Sequence, residues 1–341
     1  MRGLRITHWG GRLEPFEADD PVPGRRELLI RVEACGVGLT VVNYSSGQYA
    51  VAPLERPVVP GHELVGEVAA VGEGTDERWI GERVTAHFYL FCGSCAQCLA
   101  GFEPLCEQPE GQIGTARDGG YAELVVIPER NAVRLPAGID PVEATVVADA
   151  VATSLHIGRL SAIAPGERVA VIGAAGGVGS HMVQVAQLHG ADVAGLDVVA
   201  AKLAFLEREL GVAAVDSSEF ASVDLPAAWN GHADVVVDFV GTAASGGWAL
   251  GTLGPNGRLV LVTTFPGRTL PVDPRALVHA QASVIGSRYA SRSEIALAAA
   301  HVAEGRVRPV ISRRVGFDEV ESVHDDLVRG TLVGRGALVL V

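Results

Sequence analysis

The chain has little that would tie it to a membrane or to nucleic acid. None of its apolar runs approaches the length of about 20 residues needed to span a bilayer. Met1-Arg2-Gly3-Leu4-Arg5 leads into a strand-like pattern and not into the apolar centre of a signal peptide. Clustered positive charge is missing. Lys and Arg number 27 against 40 Asp and Glu, and a formal net charge of −13 argues against nucleic acid as a partner. There are no internal repeats and no low-complexity stretches. Cysteine is scarce: four of the five lie between Cys92 and Cys106, which leaves Cys35 alone. That usage suits a reducing compartment, so the expectation is a soluble cytoplasmic protein.

What is present fits two domains, since 341 residues with 48% apolar content can bury two sizeable cores. Residues 1 to about 145 read as β-rich, with strand candidates at 28–34, 64–72 and 118–126. An Ala/Val-rich helical stretch then runs from Asp140 to about Ala162. Arg168-Val169-Ala170-Val171-Ile172 follows, a continuous apolar strand of the kind buried in a parallel sheet. Alternating units come next: helix 180–189, strand 191–197, helix 200–210, strand 234–240, helix 247–253 and strand 258–263. This is a doubly wound α/β pattern. A last strand is expected at 337–341.

Cys92, Cys95, Cys98 and Cys106 form a C-x2-C-x2-C-x7-C run. Four thiolates this close suit one tetrahedral Zn2+ per chain, with Zn–S bonds of about 2.3 Å. Two disulfides or four idle thiols are the alternatives. The first sits badly with a reducing compartment, the second with crowding in a Gly/Pro-rich loop. A four-sulfur site is closed, so the zinc is structural and does no chemistry.

Between strand 168–172 and helix 180–189 lies Gly173-Ala174-Ala175-Gly176-Gly177-Val178-Gly179. A Gly-rich loop by itself is only a tight turn. In strand–loop–helix context, Gly176, Gly177 and Gly179 let a pyrophosphate approach the backbone and sit on the helix N-terminus. Asp197 ends the next strand. A carboxylate there accepts hydrogen bonds from both ribose hydroxyls and repels a 2′-phosphate, so NAD(H) is expected over NADP(H), with NADP(H) still possible. A solvated strand-end residue is the alternative.

With the zinc loop and the nucleotide fold in this order, the chain resembles the zinc-containing alcohol dehydrogenase family of the medium-chain dehydrogenase/reductase superfamily. The shared landmarks are Ala34-Cys35-Gly36-Val37, Pro60-Gly61-His62-Glu63, the four-cysteine lobe, Asp118-Gly119-Gly120-Tyr121-Ala122-Glu123, the Gly loop and Gly334-Arg335. The resemblance implies a GroES-like β-rich catalytic domain made of residues 1–149 and 287–341, with the zinc lobe at about 92–106. A Rossmann dinucleotide-binding domain would span 150–286. It also implies hydride transfer between nicotinamide and a small-molecule carbonyl or alcohol in an interdomain cleft, in a homodimer or homotetramer. Thr40 would relay the substrate proton and Thr153 would lie near the nicotinamide. Val178 belongs to the nucleotide loop, and Lys202 and Arg335 would contact ribose and pyrophosphate.

The chain departs from the family at its chemical centre. Gly38 stands where the family has a cysteine that binds catalytic zinc, and Val41 where it has a supporting carboxylate. Cys35, three residues away, is displaced and redirected. His62, Glu63 and Asp149 remain, and Asp149 is the one charged group in an apolar stretch, which requires a partner or a proton. Candidate proton donors are Thr40, His62, Tyr44, Tyr49 and Tyr89. His62 read structurally would simply pair with Asp149, and the tyrosines would be wall residues. Asn43 stands where some members carry a relay histidine.

The first expectation is an NAD(H)-dependent medium-chain oxidoreductase that retains structural zinc but has lost or modified its catalytic zinc, acting on an activated C=C, C=N or C=O group. The alternatives are a zinc alcohol dehydrogenase using His62, Glu63 and Asp149, and a catalytically silent nucleotide-binding protein.

Overall fold

The computed structural model describes residues 1–49, 54–263 and 265–340. The chain divides into two compact units, Met1–Ala152 with Ala290–Val341, and Thr153–Tyr289. Each is described by itself.

The hub of the first unit is the strand Glu27–Val37. Its apolar residues alternate at period two, so Leu28, Ile30, Val32 and Ala34 all face inward, buried. The strand is antiparallel to three others, Leu64–Val71, Leu124–Pro128 and Arg335–Val339. Arg335–Val339 also pairs in parallel with Ile311–Val315, so the last segment of the chain is stitched beside an early strand. The sheet continues from Leu64–Val71 through Arg83–Ala86 to Ala132–Arg134. Val341, expected in the last strand, lies outside the described residues.

Two expectations need correction here. The strand foreseen over 118–126 begins only at Leu124. Residues 119–121 instead hydrogen-bond the backbone of Val59, Pro60 and Gly61, with Gly119 N–H to Val59 O at 2.7 Å and Tyr121 N–H to Pro60 O at 3.0 Å. A Cβ on Gly119 would lie 2.1 Å from Gly61 O, so the contact requires glycine. The helix foreseen over 140–162 is broken into Pro141–Ala144, a π-helical turn at Val147–Val151 and the helix Ala152–Leu160. The π turn carries Asp149, and Val151 N–H bonds Val146 O at 2.9 Å. Propensity alone does not register such a bulge, which inserts a residue without altering the apolar composition.

The second unit is a fully parallel six-stranded sheet. Its order is Ala213–Asp216, Asp192–Asp197, Arg168–Ile172, Ala233–Asp238, Leu253–Leu261 and Ser283–Gly286. Ile172, Leu196, Val236 and Leu259 meet in its core, as expected of apolar strands covered on both faces. The two outer strands were not anticipated, because they are short and partly exposed and so lack a continuous apolar signal. The helix expected to begin at Gly247 begins at Ala243. Thr242 caps it, its Oγ1 accepting from Ser245 N–H at 3.0 Å. Among the described residues no helix is long and apolar enough to cross a membrane.

Candidate active site, glycine loop and cysteine lobe

Among the described residues two groups of metal-ligating side chains gather, Cys92, Cys95, Cys98 and Cys106, and His62, Glu63 and Asp149. In the first, Cys95 Sγ lies 3.4 Å from Cys98 Sγ and 4.0 Å from Cys106 Sγ, and Cys92 Sγ lies 3.9 Å from Cys98 Sγ. Tetrahedral zinc with bonds of about 2.3 Å requires sulfurs about 3.8 Å apart. The loop aims backbone N–H groups at the sulfurs, from Ser94 and Cys95 to Cys92, and from Cys92 and Gln108 to Cys106, at 3.3–3.4 Å. The hydrogen bonds from Ser94 hold the Cys92 thiol down at about 6, whereas burial pushes Cys98 up to about 12. Four thiolates therefore need a cation among them to ionise together.

In the second unit, strand Arg168–Ile172 turns through Gly173, whose φ is +77°, into the helix Gly179–Leu188. A Cβ on Gly179 would fall 2.1 Å from Gly173 O, so the turn closes only with glycine there. Val178 precedes the helix and no side chain caps its first turn; the Ser180 and His181 N–H groups bond Gly176 O and Val178 O at 3.0 and 3.1 Å, so an anion would approach the loop backbone ahead of them. Gly176, Gly177 and Val178 are partly exposed, and Asp197 is buried at the end of its strand. Thr153 and Lys202 are buried in this unit too, Lys202 in the helix Ala200–Glu209.

The second cluster is assembled from three separated segments. His62 and Glu63 follow the Pro60–Gly61 turn, which Gly119, Gly120 and Tyr121 buttress, and Asp149 comes from the π turn. Arg335 comes from the start of its strand, where the pairing of Gly336 with Val37 sets it against Gly38. The guanidinium is 5% exposed, with Nη2 2.8 Å from Asp149 Oδ2 and 3.0 Å from Glu63 Oε1. Two glycines make the room, Gly36 in the strand and Gly38 just past its end. A Cβ on Gly36 would fall 2.6 Å from Glu63 Oε2, and one on Gly38 would fall 1.8 Å from Arg335 Nη1. His62 Nε2 stands 3.6 Å from Asp149 Oδ2 and has no hydrogen-bond partner, while its ring packs edge-on against Phe88 at 4.6 Å.

Burial pushes the Glu63 carboxyl up, and the Arg335 charge pulls it the other way. Burial would lower Arg335, but Glu63 and Asp149 outweigh it and raise the guanidinium above its ordinary value. Cys35 is fully buried and its Sγ faces Gly61 and Gly120, so no thiolate joins this cluster.

Thr40 lies partly exposed in the first turn of the helix Leu39–Ser45. Asn43 Nδ2 donates to Tyr49 Oη at 3.1 Å, Tyr44 Oη to Gln112 Oε1 at 3.3 Å, and Tyr89 stacks beside Phe88 at 4.9 Å. The sequence reading placed Arg335 with the pyrophosphate and did not anticipate its contacts with the acids. The signal was available in Gly36 and Gly38, two glycines at the end of one strand that leave space for large charged side chains.

Residues 24–137 match the alcohol dehydrogenase GroES-like domain family, and residues 177–304 match the zinc-binding dehydrogenase family. An alcohol dehydrogenase of Geobacillus stearothermophilus is 30% identical over 100% of this chain and 99% of its own. The chain belongs to the zinc-containing alcohol dehydrogenase family. It is an oxidoreductase, with a GroES-like unit and a Rossmann-type unit. A cobalt- and zinc-bound thermostable alcohol dehydrogenase from Pyrobaculum aerophilum superimposes with a TM-score of 0.86 at 31% identity, over 99% of each chain. An acryloyl-coenzyme A reductase of Metallosphaera sedula is 29% identical over 94% of this chain and 95% of its own.

Proposed function

We propose that the chain is an NAD(H)-dependent oxidoreductase that keeps a structural zinc, dispenses with a catalytic one, and reduces a small molecule whose acceptor bond is already activated. The observation that carries this reading is the pairing of Arg335 Nη2 with Asp149 at 2.8 Å and Glu63 at 3.0 Å. A metal ion on those carboxylates would face a fixed positive charge. Two like unit charges about 4 Å apart cost roughly 4 kcal/mol at an effective dielectric of about 20. The site also offers no thiolate, since position 38 is glycine and Cys35 points elsewhere.

The four cysteines would hold one zinc per chain, in keeping with their sulfur spacing and a reducing cytoplasm. Gly176, Gly177 and Gly179 would leave the loop backbone bare to the pyrophosphate, with Asp197 at the ribose hydroxyls. Bound NADH supplies the hydride. With no Lewis acid to polarise the acceptor, the substrate must bring its own activation, as a conjugated C=C, a C=N or an activated C=O. Hydride adds to the electrophilic carbon and a proton from a residue such as His62 or Thr40 goes to the atom that receives the displaced electron pair. The acryloyl-coenzyme A reductase relative supports a conjugated acceptor.

A second reading, zinc at His62, Glu63 and Asp149, is favoured by the gathering of their ligand atoms within 4.8 Å. Elemental analysis after dialysis, with NADH oxidation on an enone, an iminium ion and a simple aldehyde, decides between them. About one zinc per chain and chelator-resistant turnover of the activated acceptors support the first reading. Two zincs and chelator-sensitive aldehyde reduction establish the second.

A further inference from the structure

We propose that Arg335 is a positioning residue that supplies this site's positive charge, holding Glu63 and Asp149 so that His62 Nε2 stays free to meet the substrate. This rests on the reading that no catalytic zinc is bound. Three observations converge on it. The guanidinium is nearly sealed from solvent and reaches both acids through one nitrogen, Nη2. It occupies the space that a side chain at position 38 would take, since a Cβ there would overlap Nη1 at 1.8 Å and displace the guanidinium. Asp149 Oδ2, which accepts from Arg335 at 2.8 Å, stands 3.6 Å from His62 Nε2, beyond hydrogen-bond range. The imidazole nitrogen therefore remains buried without a hydrogen-bond partner.

A polar atom that is nine-tenths buried without a partner is costly unless a ligand completes it. His62 is 6% exposed, and a substrate carbonyl, imine nitrogen or thioester oxygen has the acceptor chemistry to complete an N–H donor there. Were Arg335 absent, the Asp149 carboxylate beside His62 would lose the positive charge now 2.8 Å from it. It would then either capture the imidazole or draw in a dication. Arginine at 335 and glycine at 38 thus act as a matched pair.

The test uses the full chain with its cysteine zinc in place, comparing Arg335→Met, Arg335→Lys, Gly38→Ala and His62→Gln. The readouts are Zn2+ and Co2+ bound per chain, the visible absorption of bound Co2+, and kcat and KM with NADH and an enone. Arg335→Met should take up a second dication per chain and lose kcat on the order of 100-fold with a smaller change in KM, as expected when a reacting group is misplaced by about 1 Å. Arg335→Lys should stay at one metal and recover part of kcat. Gly38→Ala, which keeps the charge but moves the guanidinium, should lower kcat without new metal and covers the case in which Arg335→Met does not fold. His62→Gln should lose kcat while leaving the metal count alone.

If Arg335→Met keeps wild-type kcat and one metal, or Gly38→Ala keeps wild-type kcat, the positioning role is overturned while the zinc-free reading stands. If the wild type itself holds two dications and loses turnover to a chelator, both fall together.

Discussion

Asp197 and Ala175 are joined across the glycine-rich loop, the carboxylate Oδ2 accepting from the Ala175 N–H at 3.2 Å while Oδ1 accepts from Val198 N–H at 2.8 Å. The carboxylate is thereby fixed and buried at the strand end, where the proposed reading puts the ribose hydroxyls. Asp197→Ser should raise the NADPH-to-NADH ratio of kcat/KM by tenfold or more, about 1.4 kcal/mol, by removing repulsion of the 2′-phosphate. The same variant should lose about 1–3 kcal/mol of stability with the two amide bonds. A wild type that uses NADPH more efficiently would sink the assignment.

The loop itself gives a second expectation. Gly179→Ala places a methyl 2.1 Å from Gly173 O, against backbone that cannot swing aside. NADH affinity measured by fluorescence titration should fall at least tenfold, with a loss of roughly 1–3 kcal/mol in stability from overpacking. Unchanged affinity would mean that the loop is not the pyrophosphate seat.

For the cysteine lobe, Cys98→Ser should leave less than one zinc per chain and lower thermal stability sharply. Structural zinc contributes on the order of 10 kcal/mol of coupled folding free energy. A variant that melts with the wild type would remove the structural role.

Two buried histidines predict acid sensitivity. Burial holds both His87 and His324 down at about 4. Their folded values lie below the ordinary value of about 6.5, so the stability they contribute is complete above that pH and is lost as pH falls towards 4. Each shift is worth on the order of 3 kcal/mol. Urea midpoints should fall between pH 7 and 4.5, in a range where most carboxylates are still ionised. His324→Gln should be less acid-sensitive over that interval, and a flat profile for the wild type would contradict the prediction.

Much of this was legible in the sequence, for reasons specific to each element. Arg168–Ile172 and Asp192–Asp197 announce themselves because buried parallel strands need continuous apolar runs. The cysteine run is legible because zinc fixes both ligand type and spacing. The gathering of His62, Glu63 and Asp149 followed from the family resemblance rather than from any periodicity. What sequence did not convey was the π turn that presents Asp149 and the strand register that sets Arg335 against Gly38. Both depend on contacts between segments far apart in the chain. Asp149 sits in an apolar stretch that reads as plain helix, and nothing adjacent to Gly38 names its occupant.

The splitting of the GroES-like unit between two chain segments imposes an order on synthesis. Glu63 and Asp149 are synthesised before Thr153–Tyr289, and Arg335 only after it. Until then the two acids have no guanidinium to neutralise them, and a nascent chain could keep them only protonated or open to water. The second unit, whose sheet draws all six strands from Thr153–Tyr289, has no such wait. Released chains truncated before Ile311 should therefore carry a protease-resistant second unit alongside a first segment that is still cleavable.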